Sequence, residues 1–215
     1  MTKEDIIAKT RAIIDELADL GNGGVTGDEN EENLINVISA NMPYAYSWLL
    51  QNVSVEMLDN SVISSFSIPI KSESVTLEKN NVVRVELPND FIRIVSARLS
   101  SWAYSPTPVN EFSQTALMQQ GRITMGSPDM PAVVLYLIDG KKYLRMYTAE
   151  SDEDIVNYQI VKTTTDNNEY PITSGIEKAF IYYLAYLTLT SFRDPSAQNF
   201  YAIAVSEVKR GEQNG

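Results

Sequence analysis

Four carboxylates crowd one short stretch, Glu150, Asp152, Glu153 and Asp154, with Asp166 and Glu169 a little further on. Two carboxyl groups held about 5 to 9 Å apart can hydrolyse a glycosidic bond, one as acid and the other as nucleophile or base. The same oxygens suit a hard cation such as Ca²⁺. The run lacks the D-x-[DN]-x-[DN]-G order of a calcium loop, and adjacent acids between strands commonly just keep a loop solvated. Gly21 to Gly27 (GNGGVTG) is rich enough in glycine to cradle a phosphate. It follows a helical pattern and has no Gly-Lys-Ser/Thr ending, so it reads as a connection between helices.

The residue types that are missing narrow the chemistry further. The 215 residues include no His and no Cys. That removes imidazole acid–base catalysis, Ser-His-Asp triads, thiolate metal sites and disulfides. No cofactor or metal is expected, and the chain reads as a non-enzyme. Seventeen Lys and Arg face 28 Asp and Glu, a net charge of −11. Such a chain repels phosphate, and no stretch gathers a basic groove for nucleic acid. The opening MTKEDIIAKTRAII is not patterned as a secretory signal. The most apolar run, Ala179 to Leu189, is about half the length of a membrane span.

Aromatic side chains are the remaining candidates for contact. Tyr182, Tyr183 and Tyr186 crowd one segment, and Tyr44, Tyr46 and Trp48 another. Tyrosine suits interfaces because it buries a large apolar ring while its hydroxyl stays paired. Core packing is the competing use of the same residues.

The elements that must position these groups fall in three blocks. Residues 1–61 carry two helices. The first has Ile6, Ile7, Ile13, Ile14, Leu17 and Leu20 on a stripe, with Thr2 as N-cap. The second opens at the acidic DENEE of Asp28 to Glu32 and carries Leu34, Ile38, Met42, Ala45 and Leu49, with Pro43 expected to kink or divide it. Residues 62–170 change to a period of two. VISSFSIPI, VVRVELP, FIRIVSARLS, VVLYLI, YLRMYT and IVNYQIVK are the strands of an antiparallel β domain. Asp139-Gly140 marks a hairpin and Pro88-Asn89-Asp90 a tight turn. An excursion at 102–131, with Pro106, Pro108, Pro128 and Pro131, is expected to hold a short helix showing Phe112, Ala116 and Leu117 on one side. Residues 171–215 return to helix. Ser174 to Phe192 is apolar nearly all round, and Asp194-Pro195 starts a last helix with Phe200, Ile203, Ala204 and Val208 inward.

This order predicts an α+β protein in which the N- and C-terminal helices form one bundle and the β domain is inserted between them. Charge follows the blocks: residues 1–60 carry −8, 61–170 carry −3 and 171–215 are neutral.

VELPNDFIRIVSARLSSW (Val85 to Trp102), the proline-bounded excursion closing on GSPDMPAVVLY (Gly126 to Tyr136), YLRMYTA, and the helix IEKAFIYYLAYLTL (Ile176 to Leu189) together resemble the head-to-tail adaptors of short-tailed bacteriophages. They are similar also to the ring proteins in the tails of crAss-like phages. The resemblance implies a structural virion protein of the tail or head–tail junction, made in the host cytoplasm. It further implies a homo-oligomeric ring of about a dozen copies stacked on the portal or other tail rings. DNA would pass through that ring without specific binding, repelled by acidic walls. The contacts are expected at Trp102, Phe112 and Leu117 in the excursion and at Tyr182, Tyr183 and Tyr186 in the C-terminal block. Alternatives of other classes are a virion-associated glycosidase using Glu150 to Asp154, and a carbohydrate- or receptor-binding β module.

Overall fold

The computed structural model describes residues 1–18, 28–121, 124–163 and 169–214. The glycine-rich connection, Leu20 and Asp166 lie outside these residues, as do the side chains of Leu17 and of the DEN that opens the second helix. The protein is α+β. In chain order the elements are α1 (Lys3–Ala18), α2 (Asp28–Asn52), β1 (Ile63–Pro69), β2 (Val75–Leu77), β3 (Val83–Glu86), β4 (Phe91–Leu99), β5 (Val109–Asn110) and α3 (Gln114–Met118). They continue as β6 (Ala132–Ile138), β7 (Lys141–Tyr147), β8 (Ile155–Lys162), α4 (Glu177–Ser191) and α5 (Ala197–Asn214). The chain divides into two units, Met1–Val62 together with Thr163–Gly215, and Ile63–Lys162.

In the first unit α4 packs against α1, α2 and α5. That explains why its sequence is apolar nearly all round: Phe180, Ile181, Leu184, Ala185 and Leu189 are all buried. The second-helix stripe is a true inner face, with Leu34, Ile38, Met42, Ala45 and Leu49 all buried. Pro43 lacks the N–H that would bond back one turn. Even so, α2 runs through it undivided, its neighbours Met42 and Tyr46 both buried in the core. In α1, Thr2 Oγ1 accepts from Asp5 N at 3.2 Å, the expected cap. Two buried hydroxyls fold back onto their own helices, Thr10 onto the Ile6 carbonyl and Thr188 onto that of Leu184. Asp194 caps a turn through Ser196 N at 2.8 Å, and α5 itself starts at Ala197. The unit takes in residues beyond Lys162 that the sequence groups with the strands. Tyr170 N donates to the Met1 carbonyl, and the Met1 ammonium donates to the Tyr170 carbonyl at 2.8 Å.

The second unit holds two sheets, ordered β1-β8-β4 and β2-β3-β7-β6-β5. The six strands read from the sequence are all present; β2 and β5 are additional. The sheet is mixed and not purely antiparallel, because β5 lies parallel to β6. Asp139 (φ 49°) and Gly140 (φ 78°) make the β6–β7 hairpin, both in the left-handed region that a two-residue hairpin turn requires. The turn at Pro88 closes with Phe91 N on the Pro88 carbonyl, but it does not join a hairpin: it carries the chain from the five-stranded sheet to the three-stranded one. One core draws on both sheets. It joins Val83, Val85, Leu144 and Met146 with Leu99, Val156, Tyr158 and Ile160.

Candidate interaction surfaces

The excursion at 102–131 is built from its roots outward. At its start Trp102 is only 4% exposed, and its indole N–H donates to the Thr148 carbonyl at 2.9 Å. Trp102 belongs to the core, where it leaves almost no surface for a partner, and its one polar atom is committed inside the unit. In the middle, Ser113 caps α3 by accepting from Ala116 N, and Ala116 packs into a second small core with Val82, Ala132, Val134 and Tyr147. Gln119, also buried, binds both ways. Its amide donates to the Thr115 carbonyl and accepts from Gly126 N at 2.6 Å. Gly126 passes so close to the sheet that an added Cβ would meet the Tyr147 carbonyl at 2.8 Å.

With these roots fixed, several apolar side chains of the excursion face water, while Val109 and Met125 pack half-buried against the second small core. Phe112 is 85% exposed and Leu117 57%, with Met118 and Met130 also exposed. Ala116 and Leu117, a quarter-turn or so apart round α3, therefore differ in use, one in the core and one out, and Phe112 precedes the helix instead of sharing its face. The expectation of a single apolar side failed because α3 has only five residues, too few to establish a stripe.

In the helical unit the tyrosine segment is half-buried. Trp48 stacks on Tyr183 with ring centroids 3.9 Å apart, and Tyr183, Tyr186 and Tyr201 contact one another at 5.2 to 6.2 Å. Tyr182 packs against Phe200. Burial raises the Tyr183 hydroxyl above the usual phenol range, helped by the neighbouring Tyr186 and Tyr201. Tyr44 stands exposed, while Tyr46 is core, edge-on to Tyr170 and Phe180. The two tyrosines of that segment thus have different uses.

The acidic run separates in the same way. Asp154 is 4% exposed, and its carboxylate accepts from the Ser100 and Ser101 hydroxyls at 2.9 and 2.8 Å and from the backbone N–H groups of Ser101, Glu150 and Ser151. Burial alone would raise its pKa, but the hydroxyls and N–H groups outweigh it and hold the carboxyl below the ordinary aspartate range. Its own carbonyl accepts from Ile70 N. Asp154 therefore ties the end of β4 to the start of β8. Asp152 and Glu153 pair with Lys71 at 3.3 and 2.7 Å on the surface. Among the described residues no group of three or more acids is placed to hold a metal ion.

The chain matches no known family model and no curated protein.

On the five-stranded sheet, Arg84 and Arg145 are cross-strand partners, and both reach Glu78 Oε1 at 3.1 Å. Each guanidinium also lies over a ring, Arg84 over Tyr143 and Arg145 over Tyr136. Glu78 relieves the like-charge contact that the register imposes. Burial pushes the Tyr147 hydroxyl well above the phenol range, and the Tyr136 hydroxyl 3.5 Å away adds to it.

The three-stranded sheet carries a groove that the sequence reading did not single out. It has a volume of about 490 Å³, and beside Phe66 and Tyr158 it is lined on its strands by the polar Ser65, Ser67, Ser96, Arg98, Asn157 and Gln159. The signal was present as S-x-S, S-x-R and N-x-Q, three polar alternations on separate strands. Nothing local says that these strands are neighbours. Among the described residues no helix is long and apolar enough to cross a membrane.

Proposed function

We propose that the chain is a structural protein of a bacteriophage particle, a subunit of an oligomeric ring in the head–tail connector or tail, surrounding the path of the DNA. One observation carries the reading. The excursion is anchored by Trp102, Ala116 and Gln119, yet it offers Phe112, Leu117, Met118 and Met130 to water. Apolar side chains scattered singly are ordinary, but several displayed by one anchored segment mark a surface that a partner covers. The resemblance of the sequence to phage adaptors supplies the kind of partner: further copies of this chain, the portal, and neighbouring tail rings.

A ring closed by head-to-tail contacts needs two different complementary patches on each subunit. The excursion is one. The half-buried rings of Tyr183 and Tyr186, with the exposed ring of Tyr201 beside them, are the other. The −8 charge of residues 1–60 suits a wall past which DNA slides without adhering. The reading assigns no catalytic step and no cofactor. Asp154, the most sheltered acid of the run, already accepts from five donors in a structural tie.

The deciding experiment is the copy number in purified particles, measured by quantitative mass spectrometry against the major capsid protein. A count near a dozen supports a connector or tail ring, and absence from the particle overturns the reading. Phe112→Ser with Leu117→Ser should leave the melting temperature of the isolated chain unchanged while reducing incorporation into particles by about tenfold or more.

A further inference from the structure

The groove on β1, β8 and β4 differs from an ordinary solvated sheet face in three respects. First, serines at 65, 67 and 96 stand among longer side chains, which leaves a hollow over the strands. About 490 Å³ is within the range of small-ligand sites.

Second, the polar groups are fixed before anything binds. Gln159 sits on the central strand, opposite Ser65 on one side and Ser96 on the other. Ser96 Oγ donates to Gln159 Oε1 at 3.3 Å, and Gln159 Nε2 donates to Ser65 Oγ at 3.0 Å. The chain of bonds crosses all three strands and settles which way the amide faces. It also leaves the Ser65 hydroxyl proton uncommitted. A face ordered in this way loses little further freedom on binding.

Third, the charge is of the opposite sign to the protein. None of the lining residues is acidic, in a chain with 28 acids, and the one charged residue is Arg98. Arg98 is exposed and lies opposite Asn157, and among the described residues no carboxylate pairs with it. A planar guanidinium without an internal partner is matched to a ligand carboxylate, which it grips with two parallel bonds. The surrounding hydroxyls and amides match sugar hydroxyls, which both donate and accept.

We infer that this groove binds an acidic saccharide, with Arg98 on the sugar carboxylate and the Ser65, Asn157 and Gln159 side chains on its hydroxyls. The inference rests on the groove alone and stands whether or not the chain forms a ring.

The test uses the full chain labelled with ¹⁵N and titrated with glucuronate, glucose and acetate. Glucuronate at millimolar levels should shift the amide signals of Ser65, Ser67, Asn157 and Gln159. Glucose and acetate should each bind about tenfold more weakly, since each offers half of the recognition, and Arg98→Ala should weaken glucuronate by about tenfold or more. Arg98→Lys, which keeps the charge but not the planar fork, should fall between. Arg98 is exposed, so neither variant should alter the circular dichroism or the melting temperature. Three results would overturn the inference: no shift with glucuronate at tens of millimolar, acetate binding as tightly as glucuronate, or glucuronate binding that is indifferent to Arg98.

Discussion

The indole of Trp48 lies flat on the ring of Tyr183, the two planes 5° from parallel and the centroids 3.9 Å apart. This contact joins α2 to α4 at the edge of the helical unit and is the closest aromatic stack among the described residues. Stacked pairs contribute about 0.5–1.5 kcal/mol beyond the area they bury. A double-mutant cycle with Trp48→Ala and Tyr183→Ala, read by urea unfolding, should return a coupling energy in that range. A coupling of zero would mean that the two rings are merely adjacent.

Gly126 is a second precise contact. A methyl group there would meet backbone at 2.8 and 3.1 Å, and backbone cannot swing aside as a side chain can. Gly126→Ala should therefore cost about 1–3 kcal/mol, as overpacking does, and lower the melting temperature by roughly 2–4 °C per kcal/mol. Gly140 provides the control. It has open space around it and only a positive φ, so Gly140→Ala should cost about 1 kcal/mol, the backbone penalty alone.

Asp154 links stability to pH with a definite sign. Its folded carboxyl titrates below its unfolded value, so its contribution is complete above the ordinary aspartate range and is lost as pH falls through the folded value. Asp154→Asn should cost about 2–3 kcal/mol at neutral pH, because an amide nitrogen would then face hydroxyl and N–H donors. The variant should also show a weaker fall in stability on acidification. Equal acid sensitivity in the two proteins, measured by urea unfolding from neutral pH down to pH 3, would contradict this account.

The β unit begins and ends on paired neighbours, Ile63 opposite Val161. Neighbouring strands lie about 5 Å apart, so a short glycine linker can replace residues 63–162 without displacing the flanking chain. The shortened protein should keep a cooperative melting transition and the far-ultraviolet signature of helix. A remnant without helix would show that the first unit depends on the second.

The sequence made the regular parts of this molecule readable and left the long-range pairings obscure. The α2 stripe and the Asp139-Gly140 turn are local patterns, and each stands where its residues require. Which strands share a sheet is a non-local matter, and β4 joins β8 over a long stretch of chain, from Leu99 opposite Val156 to Phe91 opposite Lys162. The same gap concealed the role of Asp154. Its partners Ser100 and Ser101 are far away in sequence, so the acid reads as one of a solvated run. Trp102 likewise gives no local sign that its indole nitrogen meets Thr148. Phe112 and Leu117 were identifiable as apolar residues in a proline-bounded stretch, but their exposure depends on Ala116 and Gln119 taking the inner side. The groove with Arg98 needed three strands brought into register before its residues met.

The pairing of β1 with β8 also sets how the β unit responds to a pull. Its first and last strands are antiparallel, with Ile63 and Val161 as the rung nearest the two chain ends. A force that draws those ends apart loads one rung at a time and opens the pair like a zipper, beginning at Ile63. Force applied along the strands, from the opposite end of the pair, would have to shear every rung together. The unit is thus soft to tension between its own ends and stiff to tension along its strands.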